Sequence, residues 1–304
     1  MKITYLILIL FFYGSIASAQ SKKFEFITFG DMPYHLPADY SRFEALIKQV
    51  NHEKPAFTVH VGDFKSGSTP CSDEYFIKMY GYFETFSGPL IYTPGDNEWT
   101  DCNRQSAGEY LPQERLAMLR KMFFNKEQSF GKRNIALTSQ GENREFSMFV
   151  ENLSWDYGGI QFGTVHLVGS NNNFRGTDNT EFIEREKANL AWLDELFKKA
   201  SDKKGLVMFG QADMFSSRVV SPAFQKILDK LSHLSRQYGK PVLWVNGDSH
   251  RFIVDKPLLN PDQRSTILNF TRVQVFGDTD MASVRVLVDP KSASVFTFQQ
   301  LLLD

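Results

Sequence analysis

Four times along this chain a short apolar run ends in Gly-Asp. FEFITFGD closes at Asp31, TVHVGD at Asp63, LIYTPGD at Asp96 and VLWVNGD at Asp248. Runs of that length read as buried strands, and glycine stops them. Each aspartate therefore falls on a loop at the carboxyl end of a strand. In open α/β sheets, ligands bind at that edge. Four such pairs put four carboxylates on one rim. The third run is the richest, carrying Asp96, Asn97, Glu98 and Asp101 within LIYTPGDNEWTDC. A fifth pair, Gly277-Asp278, comes late and reads as turn chemistry.

Between these runs the pattern alternates. Strands are predicted over 24–29, 56–61 and 90–92. Helices are predicted over 39–53, where Phe43, Leu46, Ile47 and Val50 recur at helical spacing, over 73–86, and from Pro112 to about 124. That β-α-β-α-β order implies parallel strands with helices packed on the sheet. Longer antiparallel strands are expected over 146–155 and 159–170, then a helix over 180–200. Short strands at 206–209 and 242–245 bracket a helix near 224–234. Three strands are expected in the tail, at 272–276, 283–288 and 294–299.

The first twenty residues stand apart. Lys2, an apolar run over 3–13 and Ala17-Ser18-Ala19 read as a secretory signal peptide cut near Ala19. The run is shorter than the ~20 residues a membrane span needs. Residues 21–304 are then expected as one domain, periplasmic or secreted, with no membrane anchor. Charge is balanced, 34 basic against 35 acidic residues, with no block of one sign. That argues against nucleic acid or an anionic membrane surface as partner. Export permits a disulfide. Cys71 and Cys102 follow the Asp63 and Asp96 strands, so a bridge would pin those two loops together.

Taken in order, the motifs resemble those of calcineurin-like metallophosphoesterases, which include purple acid phosphatases. The family pattern runs Asp-x-His, Gly-Asp, Gly-Asn-His-Glu or Asp, a lone His after a strand, then Gly-His-x-His. This chain offers Gly30-Asp31-Met32-Pro33, Gly62-Asp63, Gly95-Asp96-Asn97-Glu98, Gly210-Gln211 and Gly247-Asp248-Ser249-His250. Asn189-Leu190-Ala191-Trp192-Leu193 is similar to a helix common in that family. The resemblance implies a four-layer α/β/β/α sandwich with two central mixed sheets. It also implies an ion site of Asp31, Asp63 and His250, and a second of Asp63, Asp96, Gln211 and Asp248.

The departures are chemical. Pro33 stands where the first histidine belongs, leaving Tyr34 or His35 to fill the gap. Asn97 replaces the histidine that faces substrate. Asp213 is an alternative to Gln211. Imidazoles have become carboxylates and amides, so the site favours hard ions, manganese, magnesium or calcium, over zinc or iron, with one or two bound. Crowded carboxylates raise one another's pKa unless a cation intervenes. Lys65, two residues past Asp63, is either a surface lysine or that cation, standing in for a metal. Arg104 and Arg175 are candidate clamps for phosphoryl oxygens. His60 and His166 fall inside strands and read as core. Trp99 and Trp155 read as packing.

Serine-hydrolase elbow, glycine-rich phosphate loop and His-Glu-x-x-His are all missing from the sequence. The expectation is an exported, metal-dependent hydrolase of a small or polymeric phosphoester, with Asn97 and Asp63 at the chemistry. The alternative is a catalytically impaired protein of the same fold that binds a phosphorylated ligand or a structural ion. A third is an interaction protein whose acidic cluster binds calcium.

Overall fold

The structure is a computed structural model that describes residues 22–303, apart from Thr177, Arg218 and Gln263. The expected signal peptide lies outside the described residues. Strands β1 (Phe24–Phe29), β2 (Thr58–His60) and β3 (Leu90–Tyr92) run parallel. The tail adds β11 (Ser283–Val288) and β12 (Phe296–Leu301) antiparallel on the other side, giving the order β12-β11-β1-β2-β3.

The second sheet has seven strands: β4 (Thr138–Ser139), β5 (Leu153–Tyr157), β6 (Ile160–Thr164), β7 (Leu206–Phe209), β8 (Val242–Asn246), β9 (Ile253–Asp255) and β10 (Phe270–Gln274). Their order is β4-β5-β6-β7-β8-β10-β9, with β6, β7, β8 and β10 parallel.

The sheets meet through aromatic side chains. Phe26 of β1 faces inward against Phe162 of β6 (5.6 Å) and Phe209 of β7 (5.8 Å). Phe29, on the opposite face of β1, meets Phe43 of the helix Asp39–Glu53 at 6.1 Å. A strand buried on both faces reads as a nearly unbroken apolar run, which is why FEFITF does. The helices Thr180–Lys199 and Pro222–Tyr238 cover the second sheet with Trp192, Leu193, Leu196, Ile227 and Leu231. The result is the four-layer α/β/β/α sandwich with two mixed sheets.

Expectations need correction at several points. The strand expected over 159–170 ends at Thr164, and Gly169–Asn172 forms a short helical turn instead. Residues 146–152 are not strand. Phe146 and Phe149 instead pack beside Ala188 on the helix Thr180–Lys199, and β5 begins only at Leu153. The helix from Asp73 stops at Phe83, where the Thr85 N–H turns back to the Tyr82 carbonyl (3.0 Å) ahead of Ser87-Gly88-Pro89. Strands β4 and β9, two and three residues long, carry too little pattern to read.

Trp99 and Trp155 are buried, as are His60 and His166. Among the described residues, no helix is long and apolar enough to cross a membrane.

Cys71 and Cys102 form a disulfide with Cα atoms 5.8 Å apart, tying the loop after β2 to the loop after β3. It closes a span of 31 residues. On the chain-entropy estimate, replacing both cysteines by serine costs about 3–4 kcal/mol. Urea unfolding of that double variant beside the parent checks the figure.

Candidate functional site

Asp31, Asp63, Asp96 and Asp248 follow β1, β2, β3 and β8, and the parallel strand ends bring them together. Asp31, Asp63 and Asp248 turn through left-handed backbone, with φ of 55°, 57° and 76°. Aspartate enters that region more readily than most residues. The backbone N–H of Asp248 donates to Asp31 Oδ1 at 3.0 Å, joining the two sheets at the rim. Close approach needs glycine. A Cβ on Gly169, after β6, would lie 2.6 Å from Asp248 Oδ1 and 2.8 Å from Asp96 Oδ1.

Asp63 is held by neutral donors. Its Oδ1 accepts the Asn97 backbone N–H (3.0 Å). Its Oδ2 accepts from Asn97 Nδ2 (2.8 Å), Tyr34 OH (3.1 Å) and Gln211 Nε2 (3.2 Å). Partners fix the amide orientations. Gly169 N–H donates to Gln211 Oε1 (2.5 Å), so that oxygen faces away from Asp63. Asn97 Nδ2 has two protons, and both are engaged, one by Asp63 and one by Tyr34 OH (3.0 Å). Tyr34, rather than His35, reaches Asp63.

Asp96 stands differently. Ser170 Oγ lies 2.7 Å from Asp96 Oδ2 and 2.8 Å from Asp101 Oδ1. One hydroxyl proton cannot serve two carboxylate oxygens, and a proton on Asp96 resolves the contact. Burial first, then the charges of Asp248 and Asp101, push Asp96 up to about 8. Asp31 and Asp63 are also raised well above the carboxylate range, burial leading and neighbouring carboxylates adding. Asp248 is raised by the burial of its carboxyl. Among the described residues, His250, 3.6 Å from Asp31, is the one basic side chain in ion-pair range of these four.

Lys65 is not a surface lysine. It is fully buried, and Nζ donates to the carbonyls of Asn97 (2.7 Å) and Ser66 (2.8 Å). Burial draws its pKa down to about 8, against the pull of Glu98 and Asp63. It ties two site loops together through backbone oxygens. Glu98 does the same from the other side, accepting from Phe64 N (2.6 Å) and Gly95 N (3.1 Å).

Asp213 does not replace Gln211. Arg272 (2.9 Å) and Ser249 (2.7 Å) hold its carboxylate, and its N–H supports Asp248 Oδ2 (3.0 Å). Arg104 pairs with Asp101 at 2.5 Å and is half-exposed. Arg175 donates to Asn173 and to the Thr100 carbonyl, both at 2.8 Å. The fifth Gly-Asp pair is more than a turn. The Asp278 carboxylate lies 2.8 Å from His250 Nδ1 and 2.9 Å from His35 Nε2, pairing with both rings. The repeated Gly-Asp was its signal. Ser170 had none, since nothing in GSNNN marks it.

Two buried carboxylate oxygens, Asp31 Oδ2 and Asp96 Oδ1, have no hydrogen-bond partner. That, with the oxygen-rich donor set, fits a hard divalent cation. Asp31 and His250 would hold it from one side, Asp96 and Asp248 from the other. Among the described residues, no three acidic, histidine or cysteine side chains already close on a single point.

No family model matches the sequence, and no curated protein matches it significantly. Solved structures match the fold. A dimetal phosphatase from Danio rerio superposes with a TM-score of 0.56 at 11% identity, over 92% of this chain and 99% of that one. GAP50, the anchor in the inner membrane complex of Plasmodium, gives 0.53 at 11% identity, over 93% and 89%. A purple acid phosphatase from yellow lupin (Lupinus luteus) seeds gives 0.50 at 17% identity, over 93% of this chain but 54% of its own. Such identities establish the fold alone.

Asp96 binds its proton more tightly folded than unfolded. Between pH ~4, the ordinary carboxylate value, and about 8 the folded state therefore holds the extra proton. Stability of the metal-free protein falls as pH rises through that window. Melting temperatures across the range, with chelator present, check the slope. Asp96→Asn flattens it.

Proposed function

Given that the chain has the calcineurin-like metallophosphoesterase fold, we propose that it is an exported hydrolase of phosphoesters working with one or two hard divalent ions. One observation carries the reading. Four strand ends deliver four carboxylates to one rim, two with unpartnered oxygens. Bound there, a divalent ion supplies positive charge to a phosphoryl group and to an attacking water.

The chain's own residues do the rest. Asp31, Asp96, Asp248 and His250 hold the ion. Tyr34, Asn97 and Gln211 fix Asp63 so that it cannot rotate away. Arg104 and Arg175 flank the loop after β3, where guanidinium groups suit phosphoryl oxygens. Asn97 gives no proton to a leaving group. Export rests on Lys2, the apolar run and Ala17-Ser18-Ala19.

One feature favours a second reading. Asp63 is saturated by neutral donors, as in a protein of this fold that binds a phosphorylated ligand or a single ion without turnover. Fold does not choose between them, since the similar structures include phosphatases and an anchor protein.

With manganese present, the purified protein should hydrolyse a nitrated aryl phosphate. Asp63→Ala and Asp248→Ala should each lower turnover by at least the roughly 10–100-fold that even outer-shell changes cost. A phosphate-release assay beside a metal count decides it. Bound metal without turnover on any divalent ion selects the second reading.

A further inference from the structure

An unactivated phosphoester needs a proton on its departing oxygen, and Asn97 has none to give. A second cluster stands at the rim. Asp278, after β10, holds two imidazoles on one carboxylate. Oδ1 lies 2.8 Å from His250 Nδ1 and Oδ2 lies 2.9 Å from His35 Nε2.

The rings face different ways. His250 turns its Nε2 inward, 3.6 Å from Asp31. The His35 side chain is 69% exposed, while that of Asp278 is 12% exposed. Tyr34, its chain neighbour, reaches Asp63 through its hydroxyl (3.1 Å) and packs against the His250 ring at 5.3 Å. The loop is pinned from behind. The His35 backbone N–H donates to Asp39 Oδ2 (2.7 Å), and Asp39 pairs with Arg42 (3.1 Å). His35 thus stands at the mouth of the carboxylate rim, beside a residue that touches its floor. The other imidazoles are placed for nothing similar. His60 and His166 are sealed in the core, and His52 and His233 sit on helices.

We propose that His35, oriented by Asp278, donates the proton to the leaving group of the phosphoester cleaved at this site. The proposal rests on the hydrolase reading. Water forms the new bond to phosphorus as the bond from phosphorus to the ester oxygen breaks. The electron pair goes to that oxygen, His35 protonates it, and an alcohol departs. The surplus proton of the attacking water passes to solvent, and solvent reprotonates the exposed ring. Asp278 is the positioning residue, because it fixes the orientation of both imidazoles.

Leaving-group dependence tests this. Turnover of an alkyl phosphate and of a nitrated aryl phosphate is compared in wild type, His35→Gln and Asp278→Asn, with manganese and with folding checked by thermal unfolding. His35→Gln should lower alkyl phosphate turnover at least about tenfold more than aryl phosphate turnover, as loss of a general acid does. Asp278→Asn should bias turnover the same way, less strongly. Equal loss on both esters, or loss on neither, overturns the role of His35 and leaves the hydrolase intact. Wild type that cleaves only the aryl ester has no working donor, and overturns it too. Cleavage of neither ester by wild type overturns both readings.

Discussion

Carboxylates buried side by side repel one another unless a proton or a cation lies between them. The rim of this molecule holds Asp31, Asp63, Asp96 and Glu98 out of water, with Asp248 half-buried at its edge. Such a cluster raises the energy of the ionised state, and each raised pKa is a measure of that. The fold tolerates the crowd in three ways. Asp63 and Glu98 are surrounded by N–H and O–H donors. Asp96 shares a hydroxyl with Asp101. Asp31 faces His250. What these leave unmet, at Asp31 Oδ2 and Asp96 Oδ1, is where a hard cation would do most.

The scaffold exists to keep that crowd in register. Parallel strands from two sheets end at one edge, and short loops carry the side chains off those ends. The loops are braced against each other at several points. The disulfide joins the loops after β2 and β3, and Lys65 and Glu98 join them again through backbone atoms. The N–H of Asp248 on Asp31 bridges the sheets. Behind the loop after β3, Trp99 packs against His166 at 5.5 Å, and His166 pairs with Glu151 (2.7 Å) in a sealed polar knot with Arg120. Burial pushes the Glu151 carboxyl up, but the Arg120 charge and the His166 hydrogen bond outweigh it and hold Glu151 well below the ordinary range, so that knot stays ionised while the rim resists ionisation. The contrast is one of partners: Glu151 has a guanidinium, and among the described residues none lies in ion-pair range of the four rim aspartates.

The amides around Asp63 act differently from imidazoles. An imidazole nitrogen can bind a cation. The Nδ2 of Asn97 and the Nε2 of Gln211 can only donate, and both donate to Asp63. Positive charge at the rim must then come from a group outside that amide shell. The other basic residues predicted beside the site already have partners there. Lys65 went under the floor, and Arg104 and Arg175 brace the edge.

By itself the sequence determined the layers and the convergence. Apolar runs ending in Gly-Asp can only be strands that stop, and parallel strands that stop at one edge must crowd their aspartates there. The helix Asp39–Glu53 was legible because its apolar spacing is regular. The cysteine pairing was legible because both cysteines follow neighbouring strands. Tertiary structure alone decided which way side chains point once they leave the strand ends. Lys65 turned to carbonyls because its loop is covered, and a covered ammonium needs oxygen acceptors. Asp213 turned to Arg272, and Asp278 to two histidines, because residues far off in the chain happen to pass within hydrogen-bond reach. Ser170 acquired its place through a left-handed turn, with φ of 46° at Ser170 and 56° at Asn171, which no period in the sequence announces. Strand patterns encode burial, which is local and repeats. Contacts between loops depend on where two distant segments meet, and no local pattern carries that.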